Sequence, residues 1–153
     1  MKSTDIRKGN WIASGTEFKN TSTIGKVLSI GNDDCEFEQL EVECDESFEW
    51  FWKDNYCGIP ITEERLLKLG FEFNQYNQKV YNLIFEDATG NYALFNFKFF
   101  KNGRVDYNLN GITESVKNIK DMKFQFIHQL QNLYNATTFK EMIINDLYES
   151  HDA

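Results

Sequence analysis

Two spacings of apolar residues alternate along the chain, a period of two and a period of three to four. Lys8-Gly9-Asn10-Trp11-Ile12 reads as a turn entering a short strand, and Ile24 to Ile30 reads as a second strand. Gly31-Asn32-Asp33-Asp34 is a turn cluster. Apolar residues then alternate with carboxylates, Cys35 and Phe37 on one parity, then Leu40, Val42 and Cys44 on the other. Such alternation puts one face of a strand on a core and the other in solvent. The parity switch at Glu38–Gln39 predicts a bulge or a short break. The aromatic segment Phe48-Glu49-Trp50-Phe51-Trp52 follows; it reads either as core or as an exposed anchor beside the acidic strand.

The period changes at Thr62-Glu63-Glu64-Arg65-Leu66-Leu67-Lys68-Leu69-Gly70. Thr62 is an N-cap, Glu63 and Glu64 face the positive end of the helix dipole, and Gly70 suits the left-handed position after a helix. A short helix over 62–69 should bury Leu66, Leu67 and Leu69. Period two returns in Val80–Glu86 and Tyr92–Phe100, where Ala93, Phe95, Phe97 and Phe99 share a face. Asn102-Gly103 predicts a type I′ hairpin, and Val105, Tyr107 and Leu109 the inner face of the next strand, which ends at Asn110-Gly111. Ile119, Met122, Phe126, Ile127, Leu130, Leu133 and Tyr134 then recur at helical spacing, predicting a helix over 122–135. Thr138-Phe139-Lys140-Glu141 fits a capping box opening a short terminal helix, with Met142, Ile143 and Leu147 inward and a frayed tail at 149–153. The elements describe one α+β domain over 1–153, a curved antiparallel sheet with two helices and a short terminal one.

Composition supports a folded core. The chain has 153 residues, 41% of them hydrophobic, with fourteen Phe and one Pro, and a chain with so much apolar surface offsets its ordering entropy. No stretch approaches the roughly 20 apolar residues of a membrane span. The polar start, Met1 to Asn10, lacks the apolar region of a signal peptide, so a cytoplasmic location is expected.

Charge changes the picture more. The net charge is −8, from 24 acids and 16 bases. Nine of the acids fall between Asp33 and Glu49, with no Lys or Arg among them, which leaves fifteen acids against sixteen bases elsewhere. A near-neutral domain thus carries one acidic ribbon over 33–49. Its solvated face should hold Glu36, Glu38, Glu41, Glu43 and Asp45. Like charges on one strand face repel, a cost acceptable for a solubilising face or for one meant to meet a basic partner. Direct nucleic-acid binding is disfavoured, because it needs basic surface.

Recognisable chemistry is sparse. Cys35, Cys44 and Cys57 are an odd number with no C-x-x-C spacing, which predicts reduced thiols. His128 and His151 lie at no metal-ligand spacing from a cysteine, so no metal and no cofactor is expected. His128 reads as a helix-surface or capping residue. No Gly-x-Ser-x-Gly elbow and no glycine-rich phosphate loop is present, so no enzymatic activity is expected.

Three segments carry a resemblance. Ile59-Pro60-Ile61-Thr62-Glu63-Glu64-Arg65-Leu66-Leu67-Lys68-Leu69-Gly70-Phe71 resembles a block I-P-L-T-E-E-W-L-L-K-F-G-F. His128-Gln129-Leu130-Gln131-Asn132-Leu133-Tyr134 resembles V-H-Q-L-Q-N-L-Y-x-A-L-T-G-x-E-L, with Phe139 where that block has glycine. Asp5-Ile6-Arg7-Lys8-Gly9-Asn10-Trp11 is similar to the same family's start. The family is one of small proteins of Bacteroidetes phages and prophages, and it transfers no catalytic residues. The resemblance implies a phage protein in a bacterial cell, and by analogy an inhibitor of a host defence protein, anti-CRISPR proteins being one such class. The expected function is non-catalytic binding of a basic, nucleic-acid-binding host protein such as a CRISPR effector. The interface would be Glu36, Glu38, Glu41, Glu43, Asp45 and Glu46, with Trp50 or Trp52 as anchor. The rival expectation is a structural phage protein that acts by self-association.

Overall fold

The computed structural model describes residues 6–32, 34–35, 38–52, 54–144 and 147–148. Glu36, Asp33, Phe37 and the tail 149–153 therefore lie outside the described residues. Among the described residues, ten strands and two α-helices form an α+β fold with two antiparallel five-stranded sheets. The helices are α1 (Glu63–Lys68) and α2 (Ile127–Thr138). The described residues fall into two compact units, one drawn from Met1–Pro60, Phe126–Asn132 and Leu147–Ala153, the other from Ile61–Gln125 and Leu133–Asp146.

The first unit holds β1 (Trp11–Ser14), β2 (Ile24–Asn32), β3 (Glu38–Glu43), β4 (Phe48–Trp52) and β5 (Tyr56–Gly58), in the order β4-β3-β2-β1-β5. Ile6, Ile12, Val27, Leu40, Val42, Cys44, Phe51 and Tyr56 form one buried cluster. The irregularity expected at Glu38–Gln39 is not found there; the β2–β3 register shifts instead on β2, between Val27 and Ser29, opposite Val42 and Glu41. Gly58 has no room for a side chain, since a Cβ there would sit 2.5 Å from the Phe126 ring.

The start of α2 clamps this unit's N-terminal loop. Gln131, 2% exposed, accepts the Trp11 N–H at 2.8 Å and donates its amide to the Gly9 carbonyl at 2.9 Å. Asn132 Oδ1 accepts from Arg7 Nε and from Asn10 Nδ2, and Asn10 Oδ1 accepts the Arg7 N–H. Two of the segments that carry the family resemblance are thus the two halves of one hydrogen-bond network. Its members have structural work to do whatever the chain binds.

The second unit holds α1, β6 (Glu72–Gln75), β7 (Lys79–Glu86), β8 (Tyr92–Phe99), β9 (Val105–Leu109) and β10 (Ile112–Val116), its sheet running β10-β9-β8-β7-β6. Ala93, Phe95 and Phe97 are buried on one face of β8, as their parity predicts. Phe97 meets Phe71 edge-on, with centroids 5.8 Å apart, and packs near Tyr107. The Tyr107 hydroxyl donates to Glu114, and burial pushes that hydroxyl up to about 12. Thr62 caps α1 by accepting the Arg65 N–H, and Gly70 takes φ +94°. Leu66 and Leu69 are buried, but Leu67, also expected inside, points outward.

Three other expectations shift. The type I′ turn lies at Asn110-Gly111, both with positive φ, joining β9 to β10 in the register Leu109↔Ile112. Asn102 does not take positive φ, and the β8–β9 connection is a longer loop closed by Phe100 N–H to the Arg104 carbonyl. The long helix begins five residues later than 122. Backbone hydrogen bonds from Ile61 to Gln125 and from Ile127 to Ile59 hold the preceding chain extended, and the side chain of Gln129, the third helical residue, then accepts the Phe126 N–H.

At its other end α2 runs through Thr138, so the expected terminal helix does not form, and residues 139–144 hold no helix. The Thr138 hydroxyl donates back to the Tyr134 carbonyl and accepts the Lys140 N–H, but no helix follows. Met142 is buried and Ile143 fully outward. Phe139 stops the helix with φ +59°, its N–H on the Asn135 carbonyl. This is the left-handed termination that glycine fills without strain, and it falls where the resembling block carries glycine. A non-glycine residue there costs roughly 1–2 kcal/mol.

Two expected outcomes follow from these ends of α2, both read by urea unfolding. Phe139→Gly, at a side chain 80% exposed, stabilises the protein by about 1 kcal/mol. Gln131→Ala destabilises it by about 1–3 kcal/mol, because the buried Trp11 N–H and the half-buried Gly9 carbonyl lose their partner.

Candidate acidic–aromatic face

β3 and β4 pair antiparallel with Gln39↔Trp52, Glu41↔Trp50 and Glu43↔Phe48 in register. These residues share a parity opposite to the buried Leu40, Val42 and Phe51, so they stand together on the outer face of the first sheet. Directly opposed side chains in such a pair have Cβ atoms roughly 4.5–5.5 Å apart. Each carboxylate of the strand centre therefore neighbours an aromatic ring. The rings are open to solvent: Phe48 is 69% exposed, Trp50 48% and Trp52 43%, against 3% for Phe51. On the next strand, Ser29 lies opposite Glu41 and donates its hydroxyl to Oε2, and the exposed Lys26 lies opposite Glu43.

The structure sorts the ribbon residues. Glu41 and Glu43 lie on the face. Asp45 and Glu46 are exposed in the turn closed by Cys44 N–H to the Ser47 carbonyl, beside the Glu43↔Phe48 pair. Glu38 lies on the other parity, expected outside but facing inward, where it accepts the Tyr56 hydroxyl at 2.6 Å. Burial and this carboxylate both hold the Tyr56 hydroxyl far above its usual range. Glu36 is outside the described residues. Trp50 and Trp52 take the exposed reading rather than the core one. The face also includes Gln39 and Phe48, which were not among the expected interface residues, although the spacing Phe48, Trp50, Trp52 is itself the signal of one strand face.

The same unit contains a cleft of about 420 Å³ lined by Glu17, Phe18, Cys57, Phe126, His128 and Gln129, among others. His128, expected on the helix surface, is 2% exposed and stacks against Phe126 with the planes 13° apart. The buried Cys57 has Sγ 3.9 Å from the Ser14 carbonyl, and burial pushes its thiol up. A thiol held protonated is a poor nucleophile. No group of three or more potential metal ligands exists among the described residues. No α-helix among them is long and apolar enough to cross a membrane.

Thiol chemistry checks this sorting. Cys35 is exposed while Cys44 and Cys57 are buried, and burial pushes the Cys44 thiol up to about 11. An aromatic disulfide reagent should modify one thiol per chain rapidly under native conditions, and Cys35→Ser should remove that phase; rapid modification of a second thiol would contradict the burial of the other two.

Searches of protein-family models, curated proteins and solved structures return no match to this chain, and the acidic–aromatic face is the feature on which a functional reading rests.

Proposed function

We propose that this chain is a non-catalytic binding protein whose acidic–aromatic face occupies the basic surface of a nucleic-acid-handling protein and so blocks it. One observation carries the reading: Glu41 and Glu43 stand in register with the exposed Trp50 and Phe48. Each half of that arrangement costs a lone protein something. Adjacent carboxylates repel, and exposed aromatic rings invite aggregation. A partner with lysines or arginines around an apolar patch relieves both at once. Aromatic side chains supply most of the energy at typical interfaces, and charge complementarity selects the partner and speeds encounter. A surface that binds phosphates has the required positive potential. The phage resemblance makes a host defence protein, CRISPR effectors among them, the partner class of this reading.

The test compares wild type with Glu41→Lys/Glu43→Lys, both checked for native circular dichroism, as baits in a bacterial lysate at low and moderate salt. The wild type should retain a nucleic-acid-binding protein that added salt or duplex DNA releases. The variant should retain about tenfold less. Equal retention by both baits removes the face from the interface. Recovery of the bait's own copies alone, with an oligomer in sedimentation, establishes self-association instead.

A further inference from the structure

Four strands end the two sheets, and three of them are blunted. β5 is three residues long and buried, with Phe126 packed over Gly58. β6 offers Glu72, Asn74 and Gln75, and its one ring, Phe73, rests on Tyr81 with centroids 5.1 Å apart. β10 presents Thr113, Glu114 and Ser115 in its centre. β4 is different. It is Phe48-Glu49-Trp50-Phe51-Trp52, four of five residues aromatic, without Lys or Pro. Among the described residues β3 is the one strand that pairs with it. Charged or proline-bearing side chains and short length are the usual protection of a sheet edge, and β4 has one carboxylate in their place.

We infer that β4 is a docking edge on which the partner lays an extended basic segment as a sixth strand of the first sheet. The inference rests on the face reading and adds its mode: backbone hydrogen bonds along β4 give affinity, and alternate side chains of the added strand give specificity. Charge decides the occupant. Glu41, Glu43, Asp45, Glu46 and Glu49 surround the edge. A second copy would bring the same carboxylates against themselves, with −8 on each chain, whereas a strand with lysines or arginines at alternate positions meets them. The aliphatic stems of those lysines would lie over the exposed rings of Trp50 and Phe48, which share the face of Glu41 and Glu43, and the alternate, apolar positions would fall on the face of Phe51.

The probe is a hexapeptide of alternating lysine and valine, titrated against the full chain by tryptophan fluorescence. Two further peptides are N-methylated, one at its lysines and one at its valines. In an extended strand the N–H groups of alternate residues point to opposite edges, so each methylation disables one edge. The parent should bind, one isomer should lose at least about tenfold in affinity, and the other should bind nearly as the parent does. Equal affinity of the two isomers overturns strand addition, and so does an unbound parent. A dimer of the chain that the parent fails to dissociate overturns it as well. Glu41→Lys/Glu43→Lys separates the two readings. If it weakens the parent while methylation changes nothing, the face stands and strand addition falls. If methylation discriminates while charge reversal changes nothing, the edge binds by its backbone alone and the acidic face fails.

Discussion

The first sheet depends on one buried amide. Gln131 supplies an acceptor to the buried Trp11 N–H and a donor to the half-buried Gly9 carbonyl. An unsatisfied buried group costs more than a hydrogen bond returns, so the loop that leads into β1 has little choice of register once α2 is in place. β1 sits between β2 and β5, and its register passes to both. Asn132, one residue on, fixes the same loop through Arg7 and Asn10. A chain segment rich in amides at helical spacing is in this way a polar clasp rather than a binding surface.

Local chemistry was legible in the sequence; the outcome of competition between distant segments was not. Thr62 and Gly70 bracket α1 as their side chains dictate, and the alternation over Ala93–Phe99 gives the buried face of β8. The helix after residue 122 looked longer at its start because Met122 and Phe126 keep helical spacing. Ile59 and Ile61 nevertheless claim Ile127 and Gln125 in backbone pairing across more than sixty residues, which periodicity cannot register. Thr138 looked like a cap because a hydroxyl three residues before a carboxylate has that signature. The same hydroxyl also reaches the carbonyl four residues back, and there it continued the helix it was expected to begin.

The candidate face was half legible for the same reason. Period two correctly set Glu41 and Glu43 outside, but a parity argument needs an anchor. The register shift falls on β2, not at Glu38–Gln39, so Glu38 turns inward to Tyr56. The aromatic density of β4 left its exposure undecided, since Phe, Trp and Tyr serve cores and interfaces alike. Only the pairing with β3 shows that Phe48, Trp50 and Trp52 share the side of the carboxylates.

The unguarded edge of β4 has a colloidal consequence. Mutual repulsion of acidic chains is what keeps two such edges apart in solution, and it is lost where the net charge vanishes, at a pI of about 4.8. There an aromatic edge strand becomes a template for its own kind. The carboxylates proposed to select a basic partner would therefore also oppose self-association in concentrated solution.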